Sequence, residues 1–398
     1  MDRRTVRWNR VPYSKISLDH ELALLRPRGV RSQNGVNIGF AQTWSKEEKK
    51  MALLLNDEDV KRLLTVEDTL DALEDAYDQY GRKLVRNPIR REMRTNSLEG
   101  GDLPGEEEGD QGIGMNFAYM DKHKVGIVKV YTRFNNVKLV THLIDTEAGR
   151  TLAIFHSSWE SYMRVAAEAA IGAKYMARKD ATTLGMLGTG MVGRTAFPFM
   201  LKVGNFNRVY CHAGRAEDSL YAREYAKEMT EKYGLEVIPV DKVEEVVRNA
   251  EVLVSATRAT QPIVKAKWIK RGTHITGIGA DGPRKTEYEP EVFKKINKVV
   301  IDYGLTLETG QMKEAFRKGF ISKKDIYGNI GEIVAGIKPG RTRDSEITAY
   351  MLSGMTIGYV SILERIYRKA KKEGRGIDTK DPNIPADLLN YLFLTERF

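Results

Sequence analysis

Apolar and polar positions follow different rhythms along this chain, and the changes of rhythm mark its architecture. Residues 51–83, MALLLNDEDVKRLLTVEDTLDALEDAYDQYGRK, carry apolar side chains at helical spacing. Asn56 or Asp57 opens a short helix with Val60, Leu63 and Leu64 inward. Thr65 caps a longer one with Leu70, Leu73 and Ala76 on one face. Asn87-Pro88 breaks the helix, and strand-like stretches follow at 89–95, 112–119, 124–132, 138–144 and 149–155. These predict an α+β region with a mostly antiparallel sheet. LEGGDLPGEEEGDQG between the first two strands is an acidic, Gly-rich connection or a lid. Residues 1–50 lack periodicity and are expected to form an irregular extension.

From Ser158 the pattern is helical again, with alanines on several faces: SWESYMRVAAEAAIGAKYMA. Beyond it, short apolar runs alternate with amphipathic stretches. Strands are predicted at 183–188, 208–211, 235–239, 251–255, 273–278 and 297–301. Helices are predicted at 191–203, 217–232, 241–249 and 289–295, with another after Thr306. Such alternation with short loops defines a doubly wound parallel sheet. Residues 343–371 read as one long helix returning to the first region. The expected fold is α/β, a Rossmann sheet over 161–330 beside an α+β domain made of 51–160 and 331–398.

The chemistry starts at Thr182–Met200, where the run Leu184-Gly185-Met186-Leu187 leads through Gly188-Thr189-Gly190-Met191-Val192-Gly193 into a helix. In that context the first glycine permits the turn and the second admits a pyrophosphate. The third lets helix and strand pack closely. The strand ending Cys211-His212-Ala213-Gly214-Arg215 carries no acid until Glu217. A ribose 2′-hydroxyl of NAD calls for a carboxylate there. Its absence, with His212 and Arg215 nearby, favours NADP over NAD. Two further strand ends should reach the cofactor: Ser255-Ala256-Thr257, through backbone and hydroxyl groups, and Gly277-Ile278-Gly279-Ala280-Asp281. Asp281 either faces a nicotinamide or caps the turn before Pro283.

Composition narrows the classes. Lys and Arg number 64 against 54 Asp and Glu, a net charge of +10 spread along helices rather than massed. That pattern suits a solvated surface and anionic small molecules better than nucleic acid. No apolar run is long enough to span a membrane, and no Cys/His spacing fits a metal site. A single cysteine, Cys211, fits a reducing cytoplasm.

Taken in order, LNDEDVKRLL, Pro88-x-Arg90, GIVKV at Lys129, YMRVAAEAAIGAKYMA at Arg164, LGTGMVG, VLVSATRATQPIV, GIGADGPRKTE at Asp281 and GEIVAGIKPGR resemble the ornithine cyclodeaminase/mu-crystallin family. The resemblance implies an NAD(P)-dependent amino-acid dehydrogenase or ketimine reductase. In it Arg90, Lys129 and Arg164 clamp a substrate carboxylate, Met115 lies near the substrate, and Lys129 and Asp281 act in catalysis. It also implies a homodimer paired through first-domain sheets. The cyclodeaminases of the family carry a Glu two residues before the Met matching Met115; here that residue is Ile113. An Asp common in the family's C-terminal helix is replaced near Tyr359. A cyclodeaminase, and a non-catalytic small-molecule binder on the same scaffold, are the alternatives.

Overall fold

The computed structural model describes residues 52–88, 91–94, 112–134, 136–215, 219–280, 282, 285–308 and 310–379. The extension expected over 1–50, the acidic loop, and the site residues Arg90 and Asp281 lie outside the described residues.

Strand β1 (Leu53–Asn56) enters helix α1 (Asp57–Leu63) through Asn56. The Asn56 side chain accepts from the Glu58 and Asp59 N–H groups, and the Asp59 carboxylate accepts from the Asn56 N–H. Thr65 and Asp68 form the same reciprocal cap on α2 (Val66–Gly81). Then come β2 (Val85–Arg86), β3 (Arg91–Arg94), β4 (Gly112–Met120), β5 (Val125–Phe134), β6 (Asn136–Asp145) and β7 (Arg150–His156). Helix α3 (Trp159–Met176) leads to β8 (Thr183–Leu187), α4 (Met191–Val203), β9 (Arg208–His212), α5 (Ser219–Tyr233), β10 (Glu236–Pro239), α6 (Val243–Asn249) and β11 (Val252–Ser255). The rest is β12 (His274–Gly277), β13 (Lys298–Ile301), α7 (Gly310–Arg317), β14 (Ile326–Asn329), α8 (Ile330–Val334), β15 (Thr348–Met351), α9 (Ile357–Glu373) and β16 (Ile377–Asp378).

Two sheets result among the described residues. The first runs β16-β1-β7-β6-β5-β4-β2, with β3 also on β4; only β1 and β7 pair parallel. Its inner face carries Ala118, Ile127 and Leu143 in one cross-strand row and is covered by helices; α9 packs on β4, β5 and α2. The second runs β10-β9-β8-β11-β12-β15-β13-β14, parallel throughout. Its strand order reverses at β8, which puts the Gly188 turn at the switch point.

Helix α3 joins the two. It packs on α2, α4 and α9 and on strands β12 and β15. Its alanines explain the close approach: Ala166, Ala167, Ala169 and Ala170 are wholly buried, so small side chains face neighbours on several sides. A Cβ at Gly172 would lie 2.5 Å from the Tyr350 ring, so the helix sits closer to β15 than any side chain allows.

The C-terminal stretch departs from expectation. Helix α9 begins at Ile357, and Thr348–Met351, placed by pattern within a helix, is the strand between β12 and β13. A four-residue strand buried on both faces has no alternation to betray it. The expected assignment of all of 331–398 to the first region is therefore corrected in one part: β15 lies in the second sheet, while α8 packs on α2 and α9 returns to the first sheet. The helix expected at 289–295 is a 3-10 turn, Pro290–Lys294. Strand β1 was hidden in a run that reads as the helix lead-in.

Candidate active site

At the switch point the three glycines do different work. Gly188 has φ of +99°, and a Cβ there would lie 2.5 Å from the Ala256 carbonyl oxygen, so turn and β11 exit press together. A Cβ on Gly193 would come within 2.1 Å of the Gly188 carbonyl oxygen, which fixes the packing of α4 on its strand. Gly190 is the N-cap of α4, has no side-chain cap, and would meet nothing with an added Cβ. Open space lies in front of first-turn N–H groups that no side chain satisfies, which is the requirement of a pyrophosphate. The residues present fit a dinucleotide. Thr189 is buried, while the Met191 side chain is exposed and Val192 half-buried, so these two offer backbone rather than side chains.

The neighbouring strand ends correct some expectations. His212 is buried; its Nδ1 accepts from the Gly214 N–H at 2.8 Å, and burial lowers its pKa. A neutral, inward imidazole supplies no charge for a phosphate, which leaves exposed Arg215. The Thr257 hydroxyl does not face a cofactor either. Its N–H and hydroxyl donate to Glu287 Oε1 at 2.7 and 2.8 Å, and the Ser255 hydroxyl donates to Oε2 at 2.8 Å. With the Thr257 N–H and the Ala256 N–H both bonded within the protein, the backbone carbonyls and the half-buried Ala256 side chain are left to line the strand tips. Gly279 closes the arrangement, since a Cβ there would lie 2.5 Å from Glu287 Oε1. Glu287 is wholly buried and its pKa is raised by that burial. Nothing in its sequence context separates it from a surface glutamate.

On the first sheet, Asn116, Lys129 and Thr141 form one cross-strand row on the inner face. Lys129 is buried, donates to Ser161 Oγ at 3.1 Å and lies 3.7 Å from the centre of the Tyr359 ring. Arg164, on α3, has its guanidinium carbon 4.8 Å from the same ring centre. Its Nη1 donates to Glu168 Oε2 at 2.6 Å, and Glu168 Oε1 accepts from the Tyr77 hydroxyl at 2.9 Å. Arg164 Nε, Asn116 Oδ1 and Thr141 Oγ1 are buried without a hydrogen-bond partner. No carboxylate lies within salt-bridge range of Lys129 among the described residues. Buried cations, the unused Arg164 Nε–H and the Thr141 hydroxyl together suit an anionic, hydrogen-bonding ligand, while the Asn116 amide oxygen is an unused acceptor.

The clamp abuts the second sheet. Gly354, just past β15, has φ of +90°, and a Cβ there would lie 2.8 Å from Arg164 Nη1. Asp302, just past β13, pins that loop by accepting from the Ser353 and Gly354 N–H groups at 2.9 and 2.7 Å. Sequence reasoning missed Tyr359, Ser161 and Asp302 as members of the site. Met115 goes the other way. It pairs with Val130, one position out of register with Lys129, and is 41% exposed on the outer face of β4. Strand alternation puts it on the side opposite the clamp.

A parallel sheet with a glycine turn at its switch point, beside buried cations from a strand of the other sheet and from α3, defines a dinucleotide-binding fold next to a cationic pocket. The chain belongs to the ornithine cyclodeaminase/mu-crystallin family, whose profile matches residues 49–374. It is 30% identical over 331 residues to alanine dehydrogenase of Archaeoglobus fulgidus, covering 82% of this chain and 98% of that one. Thermococcus litoralis Δ1-pyrroline-2-carboxylate reductase, solved with NADH and L-proline, superposes with a TM-score of 0.74 at 26% identity, covering 82% of this chain and 99% of its own. An archaeal alanine dehydrogenase dimer with bound NAD gives 0.73 at 28% identity, covering 82% and 98%.

Proposed function

We propose that this chain is an NAD(P)-dependent oxidoreductase that works on the C–N bond of a small α-amino or α-imino acid, as an amino-acid dehydrogenase or imine reductase. Lys129 carries the reading: a buried ammonium whose side-chain hydrogen bond goes to a serine, which shares the Tyr359 ring with Arg164, and for which the buried Glu160 carboxylate is an electrostatic neighbour beyond ion-pair distance. Lys129 Nζ and the unused Nε of Arg164 hold the substrate carboxylate, with Arg90 as a third cation by family resemblance. That grip aims the α-carbon at the cofactor cradle, which is catalysis by orientation. Asp281, which follows β12, holds and moves the proton at the substrate nitrogen. The nicotinamide, when bound, supplies or receives hydride. The first sheet is thus the substrate-binding lobe and the second the cofactor lobe.

Cyclodeaminase chemistry needs an acid for a second amine. The matching position, Ile113, is 43% exposed on the outer face of β4, away from Lys129. NADP is favoured over NAD because β9 ends without a carboxylate and Arg215 is exposed beside Gly214. The expected cytoplasmic location belongs to the same reading and rests on the one cysteine. The same sheet face supports a homodimer: Ile113, Met115, Phe117 and Val130 form an exposed apolar patch on adjacent strands.

Absorbance at 340 nm tests the reaction, with 2-oxo acids plus ammonia or methylamine and each reduced cofactor. Consumption of one cofactor per product is expected, with NADPH preferred and Arg215→Ala narrowing that preference about tenfold. Turnover of a diamino acid with no net cofactor change would instead mark a cyclodeaminase.

A further inference from the structure

The resemblance assigns no role to a tyrosine on the C-terminal helix, yet Tyr359 of α9 is, among the described residues, the side chain whose ring faces both Lys129 and Arg164. Its ring lies 3.7 Å from Lys129 Nζ and 4.8 Å from the Arg164 guanidinium carbon, and its hydroxyl donates to Ser161 Oγ at 3.0 Å. Ser161 Oγ also accepts from Lys129, so hydroxyl, ammonium and ring form a closed set. The ring is buried, and Gly358 beside it leaves room for the Arg164 stem, whose Cδ would lie 3.4 Å from a Cβ there.

Two like charges held near one another in a buried site repel; Arg164 is answered by the Glu168 carboxylate, while Lys129 donates to the Ser161 hydroxyl and still needs a directly bonded anionic partner when no substrate is present. A carboxylate at position 359 would supply that partner by pairing with them, and would then compete with the substrate carboxylate. An aromatic face attracts both cations without carrying a full negative charge of its own. We propose that Tyr359 is a positioning residue: it sets Lys129 and Arg164 side by side through its ring, leaves the Arg164 Nε without a partner for the substrate, and so tunes the pocket to an acid whose carboxylate is its main anchor. The proposal rests on the carboxylate-clamp reading above.

The test is binding of pyruvate, 2-oxobutyrate and oxaloacetate to the full chain with reduced cofactor and no ammonia. Quenching of cofactor fluorescence reports affinity without turnover; KM and kcat are then measured with ammonia present. Tyr359→Phe keeps the ring and is expected to stay within about threefold of wild type in affinity. Tyr359→Leu removes the ring and should weaken 2-oxo-acid binding and raise KM by about tenfold to thirtyfold, with kcat and cofactor affinity little changed. Tyr359→Asp should weaken binding at least as much. Thermal denaturation of each variant separates loss of fold from loss of grip. If Tyr359→Leu is folded and binds these acids like wild type, or if Phe fails as badly as Leu, the positioning role is overturned while the clamp stands. If wild type binds none of the three acids but does bind the cofactor, the clamp itself is wrong and this role falls with it.

Discussion

Single residues set what this site can hold. Gly190 and Gly193 stand three apart in one motif, yet the space around them differs completely. A methyl on Gly193 runs into the Gly188 carbonyl, while a methyl on Gly190 meets only open space. Gly193→Ala is therefore expected to destabilise the fold by about 1–3 kcal/mol, visible as a lowered Tm. Gly190→Ala should leave Tm within the range of a surface change, about 0.5 kcal/mol, but weaken cofactor binding at least about tenfold, because the methyl occupies the phosphate's place. Equal effects of the two on Tm, or an unaffected cofactor affinity in Gly190→Ala, would refute the cradle. The glycine roles were legible in the sequence because the motif sits between a strand and a helix. Glu287, Asp302 and Tyr359 were not. Their importance lies in hydrogen bonds and ring contacts between residues far apart in sequence, such as Tyr359 with Lys129 and Arg164.

At the scale of elements, caps and periodicity served well where an element is amphipathic. Helices α1 and α2 start at the residues whose side chains cap them, Asn56 and Thr65. The long hairpin strands β4 to β6 lie within a few residues of their expected positions. Legibility failed where both faces are buried, as in β15, and where face assignment depends on register, as at Met115. Lys129 could not be placed on a face from alternation alone; its pairing with Asn116 and Thr141 decides it. The opposite face of the same sheet carries its own prediction. Val130 lies next to Met115 across the β4–β5 pair, in the middle of the apolar patch. Val130→Lys puts a charge at the centre of the proposed dimer contact. Light scattering should then show the mass of one chain with unchanged circular dichroism, against two chains for wild type. A wild-type chain that is monomeric at micromolar concentration would remove the dimer from the proposal.

For the molecule as a whole, function lies in how two sheets meet. The second sheet places the glycine turn and the ends of β8, β11 and β12 together at its switch point. The first supplies Lys129 from its inner face. Helix α3 carries Arg164 between them, and β15 brings Gly354 against that arginine. Asp302 holds the β15 exit in place through two backbone N–H groups. On the proposed reading cofactor and acid bind to different parts of the chain, and each should be separable from the other by mutation. Lys129→Met tests this most directly, because it removes the ammonium and keeps the length of the stem. The affinity for reduced cofactor should stay within about twofold of wild type, while the KM of the best amino- or 2-oxo-acid substrate rises at least about a hundredfold. An unchanged substrate KM in a folded Lys129→Met protein would contradict the clamp.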